Sequence, residues 1–159
     1  MDLQEFYHPS IGSYIEIQLQ FSSISTHLRT IGDSALQSSL VVYMDIFDTD
    51  SLVASDSYIL NSPQFLLRDS IVEDFFEIKR FALNEGTYTL KLELQDLGDS
   101  TKNKINGSEK FTIESKKNVS SFSDITIAEY AVPSSAGGIF QKSGYQIIPL
   151  LSKFFPTEL

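Results

Sequence analysis

Alternation with a period of two residues constrains this chain more than any other feature. Ile15, Ile17, Leu19 and Phe21 fall on one side of a segment whose other side carries Tyr14, Glu16, Gln18 and Gln20. Successive side chains of a strand point to opposite faces of a sheet, so such a segment is built to be half-buried. Tyr88, Leu90, Leu92 and Leu94 repeat the pattern against Thr87, Thr89, Lys91, Glu93 and Gln95, and Leu40, Val42, Met44 and Ile46 form a third apolar face. Shorter candidate strands occupy residues 52–60, 75–83, 109–114 and 123–130.

Turn chemistry separates these runs. Asp48-Thr49-Asp50-Ser51, Asn84-Glu85-Gly86, Leu97-Gly98-Asp99-Ser100 and Asn106-Gly107-Ser108 all combine residues that tolerate tight backbone or bond it locally. Residues 62–77 are ambiguous, since Pro63 could open a short helix while Ile71 and Val72 read as strand. Twelve Phe and seven Tyr favour a pleated, half-buried surface. Short strands with turns every 8–12 residues predict an all-β fold, an antiparallel immunoglobulin-like β-sandwich of about seven strands with a C-terminal extension.

The turn before the strongest strand sharpens this. Asn84-Glu85-Gly86-Thr87-Tyr88 sets a Tyr at the start of a strand, two residues after a turn Gly. In immunoglobulin-like sandwiches a Tyr at this corner bonds back to the backbone, two residues before a core position, here Leu90. The chain has no Trp and no Cys, so it is not an antibody-type domain, and disulfides, thiolate metal sites and thiol nucleophiles are excluded.

The run Phe81-Ala82-Leu83-Asn84-Glu85-Gly86-Thr87-Tyr88-Thr89-Leu90-Lys91-Leu92-Glu93-Leu94-Gln95-Asp96-Leu97 resembles a strand pair common in bacterial extracytoplasmic sandwich modules. With Phe111-Thr112-Ile113 and Phe122-Ser123-Asp124-Ile125-Thr126-Ile127-Ala128 after it, the chain is similar to the N-terminal β-sandwich region of GWxTD-domain and related exported Bacteroidota proteins. The resemblance spans residues 14–159 and is specific between 81 and 128; the GWxTD motif itself is absent. It implies an exported, multi-module protein, secreted, periplasmic or at the cell surface, and it transfers no catalytic residue.

Charge and motif content narrow the chemistry. A net charge of −9, with 12 basic against 21 acidic residues and no basic run, argues against nucleic acid and against an anionic membrane surface. No apolar run approaches the roughly 20 residues a transmembrane helix needs. Met1–Glu5 has neither a basic nor an apolar leader region, which leaves a cytoplasmic chain or one whose signal has been removed. His8 and His27 lack the convergent partners that zinc or general-base catalysis needs, and no nucleophile elbow or phosphate loop is present. Gly137-Gly138 reads as a flexible turn. Asp45, Asp48 and Asp50, with Asp96 and Asp99 at another turn, are the one set that could supply hard oxygen ligands to Ca²⁺, although turn aspartates ordinarily bond their own backbone. Asn106-Gly107-Ser108 and Asn118-Val119-Ser120 match a short glycosylation pattern and read as turn and loop.

The expectation is therefore a non-catalytic structural or interaction module, with no catalytic, cofactor-binding or metal residue assigned and no cofactor. Its partner would be a protein or a neighbouring module of the same chain. The alternative is a carbohydrate-binding or other ligand-binding module, using Tyr14, Tyr43 and Tyr58. Residues 1–115 make the sandwich, and 116–159 a linker and connector to a following module. The apolar stretch from Tyr145, interrupted by Pro149 and Pro156, is expected to lie outside the sandwich and to offer a surface for self-association.

Overall fold

The alternating segments become strands in the computed structural model, which describes residues 1–66, 73–114 and 123–151. The elements are β1 (Asp2–His8), β2 (Gly12–Phe21), a 3-10 turn (Ser23–Ser25), β3 (Arg29–Ile31), β4 (Ala35–Gln37), β5 (Ser39–Asp48), β6 (Ser51–Asn61), β7 (Phe65–Leu66), β8 (Phe75–Ala82), β9 (Gly86–Asp96), β10 (Lys104–Ile113), β11 (Ala128–Pro133), β12 (Gln141–Lys142) and β13 (Tyr145–Pro149). The protein is all-β, with several antiparallel sheets and none closed. Among the described residues no helix is long and apolar enough to cross a membrane.

The chain divides into two compact units, one of Met1–Gln20, Phe76–Asn84 and Ser115–Leu159, the other of Phe21–Phe75 and Glu85–Glu114. In the second unit the sheet runs β10-β9-β5-β6. Its register places Val42 opposite Leu94, Met44 opposite Leu92 and Ile46 opposite Leu90, so the apolar faces read from the sequence meet side by side. Leu40, Val42, Met44, Ile46, Leu90 and Leu92 are buried as expected; Leu94 is only half-buried. Its neighbour on β10, Ile105, is 70% exposed, so core cover thins toward this end of the sheet. A small sheet, β3-β4-β7, completes the unit, and the Phe21 and Phe75 rings stack at 5.1 Å.

In the first unit, β1 and β2 form a hairpin through Pro9-Ser10-Ile11, and β8 lies on the other side of β2. The turn ends on Gly12 at φ +83°, a conformation that suits glycine. The alternation of β2 has an unusual outcome: Ile15, Ile17 and Leu19 are buried on one face, and Glu16 and Gln18 are buried on the other. A second sheet of this unit, β11-β13-β12, is built from the C-terminal stretch.

Two local expectations are corrected. Asn106-Gly107-Ser108 is not a turn but lies within β10, paired with Leu92 and its neighbours, while the reversal occurs earlier, near Asp99 and Lys102. Residues 152–159, with Pro156, lie outside the described residues, but Tyr145–Pro149 does form a strand, and β13 is the central one of its sheet. Pro149 is its last residue, and the backbone N–H of the following Leu150 bonds the Ile127 carbonyl, so the proline interrupts no ladder.

Candidate binding surface

Three strands of the four-stranded sheet bring their outward side chains together. Tyr43 lies opposite Glu93 and Asp45 opposite Lys91, across β5 and β9; Asn106 and Ser108 on β10 continue the same rows. These residues wall a groove of about 480 Å³. The pairing follows from the sequence, because β5 and β9 alternate and, Val41 apart, each position facing away from the core is polar or aromatic.

The groove's electrostatics are largely internal. The Lys104 ammonium donates to the Glu93 carboxylate at 2.7 Å and sits 5.8 Å from the centre of the Tyr43 ring. That hydrogen bond to Glu93 holds the lysine above its ordinary range. Ser55 donates its hydroxyl to Asp45 at 2.6 Å, and the Lys91 ammonium lies 4.5 Å from the centre of the Phe47 ring. What remains is one aromatic ring, 40% exposed, with donors and acceptors of both signs around it. Such an arrangement can stack against an apolar ligand face and hydrogen-bond its rim.

The other sequence candidates do not converge here. Tyr58 pairs with Val42 and lies on the opposite face of the sheet from Tyr43, while Tyr14 belongs to the first unit and stacks on Phe6 at 5.6 Å. Tyr43 and Tyr58 therefore make no common platform, because successive strand residues alternate faces. Among the described residues no three His, Asp or Glu side chains are grouped to hold a metal. Asp99 bonds its own turn: the Thr101 hydroxyl and N–H donate to it and hold its carboxyl below the usual range. Asp96 accepts from the backbone N–H groups of His27 and Gly98, both at 2.7 Å, and lies 3.0 Å from His27 Nδ1. His8 accepts from the Ser10 N–H in the first hairpin. Gly137 and Gly138 take positive φ in an exposed turn. Asn118-Val119-Ser120 lies outside the described residues.

Sequence reasoning missed Lys91, Glu93, Lys104, Asn106 and Ser108. Each is an ordinary solvent-side residue by itself, and only the register of three strands makes a groove of them. It also missed a polar layer in the first unit, where Glu16 meets Arg80 Nε at 3.1 Å and Lys142 Nζ at 3.4 Å, and Gln18 donates to Gln4 at 3.2 Å. No family model, curated protein or solved structure matches the chain.

Proposed function

We propose that this chain is a non-catalytic binding module that works through the outer face of the four-stranded sheet. The observation that carries the reading is the groove beside Tyr43, where an exposed ring and a polar rim converge from three strands. Beside the ring Lys104 already pairs with Glu93 and Asp45 accepts from the Ser55 hydroxyl, which favours a neutral, polar partner over a strongly charged one. The first reading is a protein partner or neighbouring module, in an immunoglobulin-like sandwich of an exported bacterial multi-domain protein, with a module boundary near residue 115. The Tyr88 corner and the run of residues 81–97 support it.

A second reading is carbohydrate, since an aromatic ring edged by carboxylate, amide and hydroxyl groups suits a sugar ring. Tyr43 alone of the three tyrosines supports it. Probing the purified chain with an oligosaccharide array and a peptide array separates the two. Saturable binding to peptides favours the first reading and to sugars the second; binding to neither contradicts both.

A further inference from the structure

We propose that residues 123–151 form a displaceable strap, held over a polar face of the β1–β2–β8 sheet mainly by hydrogen bonds and one ion pair. Facing the strap across a narrow crevice are Glu16, Gln18 and Arg80 with the apolar Ile78; the strap contributes Thr126 and Lys142 with the apolar Ile139, Phe140, Ile147 and Pro149. The attachments are polar. Thr126 donates its hydroxyl to Gln4 at 2.6 Å, Arg80 Nη2 donates to the Ile139 carbonyl at 3.1 Å, and Lys142 reaches Glu16 at 3.4 Å. Along the edge of β1, the Glu5 N–H donates to the Asp124 carboxylate at 2.7 Å and the Asp124 N–H returns a bond to the Glu5 carbonyl at 2.9 Å.

Apolar attachment is limited. Of residues 123–151 only Ile148 and Pro149 are buried; Phe140, Ile147, Leu150 and Leu151 are half-buried, while Ile125, Ile127, Tyr130, Val132 and Tyr145 are all exposed. What the strap covers is largely polar: Gln4, Glu16 and Gln18 are 7%, 2% and 1% exposed, with Ile78 beside them at 7%. Covering such groups releases little hydrophobic free energy, and each bond made replaces one to water. The ion pair gains little more, since the side chains of Arg80 and Lys142 remain 39% and 42% exposed. Closure also leaves Gln18 Oε1 buried without a hydrogen-bond partner among the described residues, a penalty that opening removes. A segment held this way opens at far lower free energy than the sheets whose strands share apolar cores. Opening bares the edge of β1 and the Glu16–Arg80 pair.

Amide hydrogen exchange on the whole chain tests this. The reporters are the N–H groups whose bonds join the strap to β1: Asp124 to the Glu5 carbonyl, Glu5 to the Asp124 carboxylate and Tyr7 to the Ser123 hydroxyl. They should exchange at least about a hundredfold faster than the central amides of β5 and β9, which open only with the globally unfolding core. Lys142→Gln, which leaves the Glu16–Arg80 pair in place, should speed the reporters by up to about tenfold, the equivalent of one lost hydrogen bond, with β5 and β9 unchanged. Glu16→Gln should do the same or more. Reporters protected as strongly as β5 and β9 overturn the proposal. So does a Lys142→Gln variant that leaves the reporters unmoved, or moves every amide together.

Discussion

The Tyr88 ring folds back over Gly86, so that a Cβ built on the glycine would lie 3.0 Å from the tyrosine hydroxyl and 3.1–3.2 Å from the ring carbons. Tyr88 is buried, tilts against Phe111 at 5.7 Å and is the third residue of the strand that carries Leu90 and Leu92. The ring cannot yield easily, so Gly86→Ala should destabilise the protein by about 1–3 kcal/mol, the usual range for overpacking. Denaturant unfolding measures this. In the Tyr88→Ala background, where the obstacle is gone, the penalty of Gly86→Ala should largely vanish.

Leu90 and Leu94 lie on the same face of β9 yet differ in burial: Leu90 is fully buried and Leu94 half-buried. Leu90→Ala should cost about 2–5 kcal/mol, as buried leucines do, and Leu94→Ala distinctly less. Equal losses would mean that the end of the sheet near Ile105 is better covered than the structure shows.

Burial raises the phenol pKa of both Tyr14 and Tyr88 above the ordinary 10.0; Glu16 adds to the effect at Tyr14 and Asp48 at Tyr88. A phenol whose folded value is raised contributes stability that is complete below about pH 10 and is lost as pH climbs through the folded value. Ultraviolet titration of the tyrosines should therefore show a late class. That class should shrink in Tyr14→Phe and in Tyr88→Phe, and unfolding stability should fall over the same alkaline window.

How much of this was legible in the sequence follows from what period-two alternation can and cannot carry. It located β2, β5 and β9, because each has one apolar face; β6 and β8 read as shorter strand candidates between turns. It passed over β1, where Gln4, Glu5 and Phe6 are buried in succession and no alternation exists. In β10 nearly every residue is exposed, so Asn106-Gly107 read as a turn although it is an edge strand that tolerates glycine. The short β3–β4 hairpin around Gly32-Asp33 offers three residues a side, too few for a pattern. Tyr43 was visible as an aromatic on a polar face; its groove partners depend on strand order, which no local pattern encodes.

The limited apolar burial of residues 123–151 leads to a further expectation. A chain ending at Glu114 should still melt cooperatively, because the core residues of β5 and β9 remain and the layer laid bare around Glu16 is polar. Thermal unfolding followed by circular dichroism checks this. A chain that is unfolded without its last segment would make that segment part of the core.

The most direct test of the binding reading is a titration of the ¹⁵N-labelled chain with a peptide or oligosaccharide taken from the arrays, followed by amide shifts. The account predicts shifts concentrated at Tyr43, Lys91, Glu93, Asn106 and Ser108, and a loss of at least about tenfold in affinity for Tyr43→Ala at unchanged melting temperature, as for an aromatic anchor. Shifts confined to other parts of the chain, with Tyr43→Ala binding as well as the parent, would contradict it.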